Sequence, residues 1–301
     1  MTDSSRLIGA DRTPNSLFLR GGIGNILFQL SAARMISNEF GGGFDVHTRH
    51  SQAFIDERTE AAVSYICGNF GFSTERTEAR RHALELSGHF LRGKRLLLES
   101  SNLNKLLRRR ENSRGFAISG YFQNYAFFRD QIEEVAGLMG SFLQDGDRNW
   151  ESQSNKYVAV HIRLGDYSKL ESIYGGLSPD YYRRAIQSIQ EVEGTRNLPI
   201  TVVSNDRKGA LNFARSFLSD SEFELSQRSA SPLGDLTTLS RASYIVAPSS
   251  TFSWWASRIG NSKMIFLPTP FLVSPKKNRR VDLQSPNTMF LERRLPNTSR
   301  P

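Results

Sequence analysis

Residues Tyr157 to Tyr167 read YVAVHIRLGDY, a stretch that gathers an imidazole, a guanidinium and a carboxylate at the end of one strand. Side chains alternate along a strand, which sends Val158, Val160 and Ile162 to one face and Ala159, His161 and Arg163 to the other. The first face is core, and the second ends in chemistry. Gly165 and Asp166 break the strand and leave Arg163 and Asp166 at its carboxyl edge, where open α/β sheets bind their ligands. A planar guanidinium there suits a phosphate, because its fork of N–H donors matches two phosphate oxygens. The plainer alternative for the same residues is a structural ion pair between Arg163 and Asp166 beside a packed core histidine at position 161.

A second convergence is Ser249-Ser250-Thr251, which follows an apolar strand and opens a helix. Hydroxyls, orphan backbone N–H groups and the positive end of the helix dipole meet there and make an anion site. Ordinary N-capping, which needs one hydroxyl, is the competing explanation. A third is Gly21-Gly22-Ile23-Gly24-Asn25 after the buried run Leu17-Phe18-Leu19; such a turn admits close backbone approach and aims N–H groups at an anion. It is not a full dinucleotide fingerprint, since Leu27 stands where the third glycine belongs, and no Lys-Ser/Thr makes it a P-loop. Trp254 and Trp255 read as core and interdomain packing rather than a sugar platform.

Metal chemistry is not expected. His47, His50, His82, His89 and His161 make no HExxH or comparable ligand set, a single cysteine cannot build a thiolate site, and no aspartate pair flanked by strand residues resembles a D-x-D clamp. A phosphate bound here would be neutralised by arginine and backbone dipoles, with Arg163 the foremost candidate.

The elements that position these residues alternate. Leu17 to Leu19 is a strand, and Ile26, Leu27, Leu30, Ala33 and Ile36 recur at helical spacing up to the Gly41-Gly42-Gly43 turn. Residues 44–115 show little strand signal and read as helix and loop. Gly115 to Asn124 reads as a strand with an aromatic turn, and Ile132 to Leu143 as a helix. The polar stretch from Leu143 to Lys156 marks a boundary, which divides the chain into a flexible lead at 1–15 and domains at 16–150 and 151–301. In the second domain Ser178-Pro179-Asp180 opens a helix at 181–192. Strands follow at 200–203, 223–225, 244–247 and 264–267, with helices reaching about 218 and spanning 235–242 and 252–259. Such alternation predicts a parallel sheet with right-handed crossovers.

At 301 residues, with 38% hydrophobic and 11% aromatic content, the chain suits two ordinary domains and a cleft between them. No apolar run approaches the roughly 20 residues needed to span a bilayer. The N-terminus has no apolar core of signal-peptide length and Cys67 is the sole cysteine, so a cytoplasmic protein is expected. A net charge of +9 and a pI near 9.8 imply a negatively charged partner: nucleic acid, an anionic membrane surface or a phosphorylated small molecule. The basic clusters at Arg76 to Arg81, Lys105 to Arg110, Lys276 to Arg280 and Arg293-Arg294 are scattered and not interleaved with aromatics. They read as solvated faces, with attraction to a membrane as the rival, and nucleic acid is not expected.

Taken together, GGIGNILFQLSAAR at 21–34, GYFQN at 120–124, HIRLGDY at 161–167, SPDYYRRAI at 178–186, VVSND at 202–206, DLTTLSRA at 235–242 and STFSWWAS at 250–257 resemble the successive blocks of bacterial α-1,2-fucosyltransferases, glycosyltransferase family 11. The resemblance covers roughly residues 17–270. It implies a GT-B architecture in which two Rossmann-like domains face a cleft, the first on the acceptor side and the second binding the donor. It also implies inverting, metal-free transfer of L-fucose from GDP-fucose to a glycan hydroxyl, a galactoside 2-OH in this family. GDP-fucose is then the donor substrate and no cofactor is needed.

By the same resemblance, Arg163 would neutralise the pyrophosphate as GDP leaves, with His161 and Asp166 shaping the site and Ser250 and Thr251 holding phosphate or nucleotide. Asn25 and the backbone of Gly22 and Gly24 would approach the donor from the other domain. Asp206 and Asp235 fit a nucleoside-recognising or a structural role. Asp166 is the nearest candidate base for the acceptor proton, the alternative being late loss to water or phosphate. Two positions depart from the pattern: Leu164 stands where many members have a second arginine, leaving that contact to another residue such as Arg20, and Ser249 replaces a frequent asparagine. Other readings are a transferase using another GDP-sugar or linkage, and a non-catalytic glycan- or nucleic-acid-binding protein on the same scaffold. A lipid-linked acceptor at the inner membrane face, with arginines near anionic lipid, suits the basic charge.

Overall fold

The computed structural model describes residues 15–49, 56–77, 95–97, 103, 105, 115–146, 156–164, 170–192, 196–226 and 231–293. They form two parallel sheets. The first contains β1 (Asn15–Phe18), β2 (Phe44–Arg49), β3 (Ser73–Thr77), β4 (Arg95–Leu97) and β5 (Phe116–Ile118), in the order β3-β2-β1-β5-β4. The second contains β6 (Val158–His161), β7 (Ile200–Val203), β8 (Phe223–Leu225), β9 (Tyr244–Val246), β10 (Met264–Thr269) and β11 (Thr288–Glu292), in the order β11-β10-β9-β6-β7-β8. The helices are α1 (Ile23–Phe40), α2 (Glu57–Phe70), α3 (Tyr125–Asp145), α4 (Glu171–Tyr174), α5 (Pro179–Gln190), α6 (Arg207–Ala214), α7 (Pro232–Ser240), α8 (Thr251–Ile259) and α9 (Pro275–Asn278). Two α/β units are the organisation that the resemblance implies, and the expected boundary near 150 falls among residues outside those described.

Three strands, β2, β3 and β4, correct the expectation of helix and loop over 44–115. Two of them are sheet edges. β3 is Ser-Thr-Glu-Arg-Thr, polar throughout, and β4 has only three residues, so neither shows the apolar alternation of a half-buried strand. β11, at the edge of the other sheet, escaped notice as well. α3 begins seven residues before its apolar stripe suggested, because the Asn124 side chain accepts from Phe127 N at 2.9 Å and caps it.

Both sheets reverse direction at their centre. In the second, the chain runs outward from β6 through β7 to β8, returns to β9 on the other side of β6, and continues to β10 and β11. The carboxyl ends of β6 and β9 therefore form a topological switch point, where crossovers leave on opposite faces and open a crevice. In the first sheet the equivalent point lies between β1 and β5. β6 is covered on both faces, as central parallel strands are. Val158, Val160 and Ile162 pack under α5 and α6, whereas Ala159 joins the core that runs through α1, α3, α7 and α8. The His161 face is accordingly core as well.

The two units meet through α8. Phe28 of α1 stacks on Trp254 with ring centroids 5.1 Å apart and meets Trp255 edge-on at 5.1 Å, and Tyr125 of α3 meets Trp254 edge-on at 5.7 Å. Trp254 Nε1 donates to Leu283 O at 2.9 Å, and Arg258 Nη2 holds Glu133 of α3 through both carboxylate oxygens at 2.8 Å. Both tryptophans are fully buried, as packing residues should be. The closest approach is at Gly24, where a Cβ would lie 2.7 Å from Phe252 N and 2.8 Å from Thr251 C. Backbone atoms cannot rotate aside. Gly24→Ala is expected to destabilise the protein by about 1–3 kcal/mol, read as a lower urea midpoint at unchanged m. An unchanged midpoint would contradict so tight a meeting of the helices.

Candidate active site

Arg163 lies two residues past β6, and the pairing of Ile162 N with Val203 O at 2.9 Å carries the chain to it in register. Its half-buried side chain lines a cleft of about 240 Å³ at the switch point. Leu164, Glu171, Gly175, Pro248 and Ser249 share that cleft, so the Arg163 turn and the start of the Ser249-Ser250-Thr251 turn come together. The residue after Arg163 thus brings no charge to the lining.

Ser250 is the N-cap residue of α8, and its side chain makes no capping bond. Ordinary hydroxyl capping is therefore not what this turn does. The Thr251 hydroxyl donates instead to Asn25 Oδ1 at 3.2 Å, and Gln123 Nε2 donates to the same oxygen at 2.8 Å. Asn25 thereby knots the β1 turn, the β5 turn and the start of α8. With Gly24 pressed on Thr251 and Phe252, the N-termini of α1 and α8 sit side by side, both without a side-chain cap, and their dipoles point positive ends at the same region. Gly22 is the N-cap of α1. Gly24 meets the α8 backbone, so its bare Cα serves helix packing. Arg20, a candidate second cation, has an exposed side chain. Its backbone is fixed by fully buried Gln29, whose Oε1 accepts from Arg20 N at 2.9 Å and whose Nε2 donates to Arg20 O at 2.7 Å.

His161 is buried and its Nδ1 shares a hydrogen bond with the Ser253 hydroxyl, linking β6 to α8. Burial, with the Arg163 charge nearby, pushes its imidazole down to about 3. The imidazole is a neutral strut between β6 and α8. Asp206 is the N-cap of α6: its Oδ1 accepts from Gly209 N at 2.9 Å. Asp235, in the first turn of α7, differs. Its Oδ1 is buried without a hydrogen-bond partner, and burial raises the carboxyl to about 7 against the lowering pull of Arg207. Asp166 lies outside the described residues.

Arg293 corrects the expectation that the Arg293-Arg294 pair is a solvated face. Its side chain is 4% exposed and Nη2 donates to Ser249 Oγ at 2.6 Å. A doublet of arginines closing an unrecognised edge strand gave no sign of this. Gln29 did leave a trace, as the polar interruption of an apolar helix face in ILFQLSAA.

Among solved structures, the fold matches the NodZ α-1,6-fucosyltransferase co-crystallised with GDP, with TM-score 0.50 and 13% identity over 84% of this chain and 94% of that one. The fucosyltransferase NodZ from Bradyrhizobium matches at TM-score 0.50 and 15% identity over the same shares. The shared fold is GT-B. In sequence the chain is 26% identical over 167 residues to an alpha-1,2-colitosyltransferase of Escherichia coli, covering 53% of this chain and 57% of the relative. It is 31% identical over 128 residues to the O-antigen biosynthesis glycosyltransferase WbnK of Escherichia coli, covering 40% of this chain and 38% of that protein. The matched segments thus span roughly half the length of these relatives. The model of glycosyl transferase family 11 matches residues 100–281, well over half of the chain, and the protein belongs to that family.

Proposed function

We propose that the protein is an inverting transferase that moves L-fucose from GDP-fucose to a hydroxyl of a glycan acceptor, a galactoside 2-OH, without a divalent cation. The observation that carries this reading is the shared cleft of Arg163 and Ser249 at the switch point, beside the uncapped start of α8. As the glycosidic bond breaks, positive charge grows on the sugar ring and negative charge on the β-phosphate. A guanidinium and a helix N-terminus lower the barrier to the extent that they hold the leaving diphosphate more tightly than the intact donor. The acceptor proton goes to Asp166 in this reading, or leaves late to water or phosphate. The test is transfer from GDP-fucose to lactose in EDTA, with the linkage read by NMR; no transfer to any galactoside would overturn it. A second donor is favoured by one finding, the likeness to a colitosyltransferase. Colitose lacks the 3-hydroxyl of fucose, and competition between the two GDP-sugars separates these donors.

The same reading gives the guanine to Asp235. β8, which leads into α7, lies two strands from β6, about 10 Å at roughly 4.8 Å per strand, a span that a ribose and base cover. An ionised carboxylate accepts from the N1–H and 2-amino groups of guanine together, whereas a protonated one offers a single acceptor oxygen beside its own O–H. With the carboxyl raised to about 7, the affinity for guanosine, which has no phosphate to titrate, is expected to tighten as pH rises through that value and to become flat in Asp235→Asn. An unchanged pH profile in the variant would remove Asp235 from the site.

No helix among the described residues is long and apolar enough to cross a membrane. Contact with anionic lipid is the further part of this proposal, supported by exposed Lys276, Lys277, Arg279 and Arg280 around α9. Cosedimentation with phosphatidylserine vesicles in preference to neutral ones is expected, and equal partitioning would refute it.

A further inference from the structure

Arg293 ties three segments together behind the cleft. Besides Ser249 Oγ, its Nη2 donates to Phe271 O at 3.1 Å, and its Nη1 donates to Tyr174 O at 2.5 Å. The loop after α4 is moulded over it: Gly175 has φ +65°, and a Cβ there would lie 2.5 Å from Arg293 Nη1 and 2.6 Å from Val273 Cγ1. Two of the segments, through Gly175 and Ser249, are walls of the cleft that Arg163 lines. These three acceptors are neutral oxygens.

The bond to Ser249 also has a direction. Arg293 can only donate, so it occupies a lone pair of Oγ and the hydroxyl proton is directed elsewhere. A hydroxyl that accepts from a cation is in turn a stronger donor. Leu164 beside Arg163 leaves room in the lining for another source of positive charge.

We propose that Arg293 is a positioning residue of the diphosphate site: it fixes Ser249 so that its O–H donates to a phosphate oxygen, and it places a second positive charge one hydroxyl behind the cleft. This rests on the GDP-sugar reading above and adds to it a residue just past β11.

The test is calorimetric binding of GDP and of guanosine, which lacks the phosphates, to the wild type, Ser249→Ala, Arg293→Met, Arg293→Lys and the Ser249→Ala/Arg293→Met double variant. GDP affinity is expected to fall about tenfold in Ser249→Ala and in Arg293→Met, the order of one charged hydrogen bond. Because the two act in series, the double variant should lose no more than the worse single one. Arg293→Lys, which keeps the charge but not the fork that spans three oxygens, should recover part of the loss, and guanosine affinity should move less than about twofold throughout. Parallel weakening of GDP and guanosine would overturn the proposal in favour of a merely structural arginine, as would indifference of GDP to Ser249→Ala. Should Arg293→Met fail to fold, Ser249→Ala and Arg293→Lys decide by the same criteria. A wild type that binds no GDP would overturn the underlying donor reading itself, a result distinguishable from either.

Discussion

Arg163→Ala is expected to lower the rate of transfer about 10²- to 10³-fold, the loss seen when one preorganised donor to a developing oxyanion is removed. The effect should be larger on kcat than on KM. In the proposed reading Arg163 meets a diphosphate that has two negative charges in the donor and gains a third as the bond to the sugar breaks, so its interaction grows toward the transition state. Its setting supports this role: the carboxyl end of β6 holds it at the switch point, and His161, two residues before it, is buried and neutral and so adds no competing charge. Arg163→Lys keeps a charge but not the planar fork, and should recover only part of the loss. The measurement is steady-state kinetics with saturating acceptor. A rise in KM at unchanged kcat would reduce Arg163 to a ground-state contact.

The second large effect is structural. Trp254→Ala should cost about 3–5 kcal/mol, because it opens a cavity where three other aromatic rings converge. It also leaves the Leu283 carbonyl without the indole donor. Trp254→Phe should recover much of the packing and none of that hydrogen bond. Since Phe28, Tyr125 and Trp254 join the two sheets, the loss should appear as one lowered transition in urea rather than as unfolding of one half alone. A cost below about 1 kcal/mol would mean that the aromatic cluster is not the joint between the domains.

How far the sequence foretold this depends on what each residue had to satisfy. β7 lies where its pattern placed it, and β6, β9 and β10 within a few residues, because the interior of a parallel sheet demands apolar runs and those runs are visible; β8, although an edge, was marked by Phe223 and Leu225. The other edges demand no such runs, and β3, β4 and β11 were lost with them, while β2, an interior strand, was lost because FDVHTR mixes apolar and polar residues. Arg163 and Ser249 announced themselves by following strands into turns. Arg293 did not, since its importance comes from the fold of β11 against the β9–α8 turn, 44 residues away in the chain. The roles of His161 and Gly24 were ambiguous for another reason: a histidine in a strand and a glycine in a turn suit ligand or packing alike. Only the Ser253 hydroxyl and the backbone of Thr251 and Phe252 give them their partners.

The most direct test of the account is calorimetry of GDP against UDP in EDTA, on the wild type and on Arg163→Ala. The wild type is expected to bind GDP in preference to UDP without divalent metal, and Arg163→Ala to lose most of this affinity while keeping its fold. GDP binding that requires metal, or that is indifferent to Arg163, would contradict it.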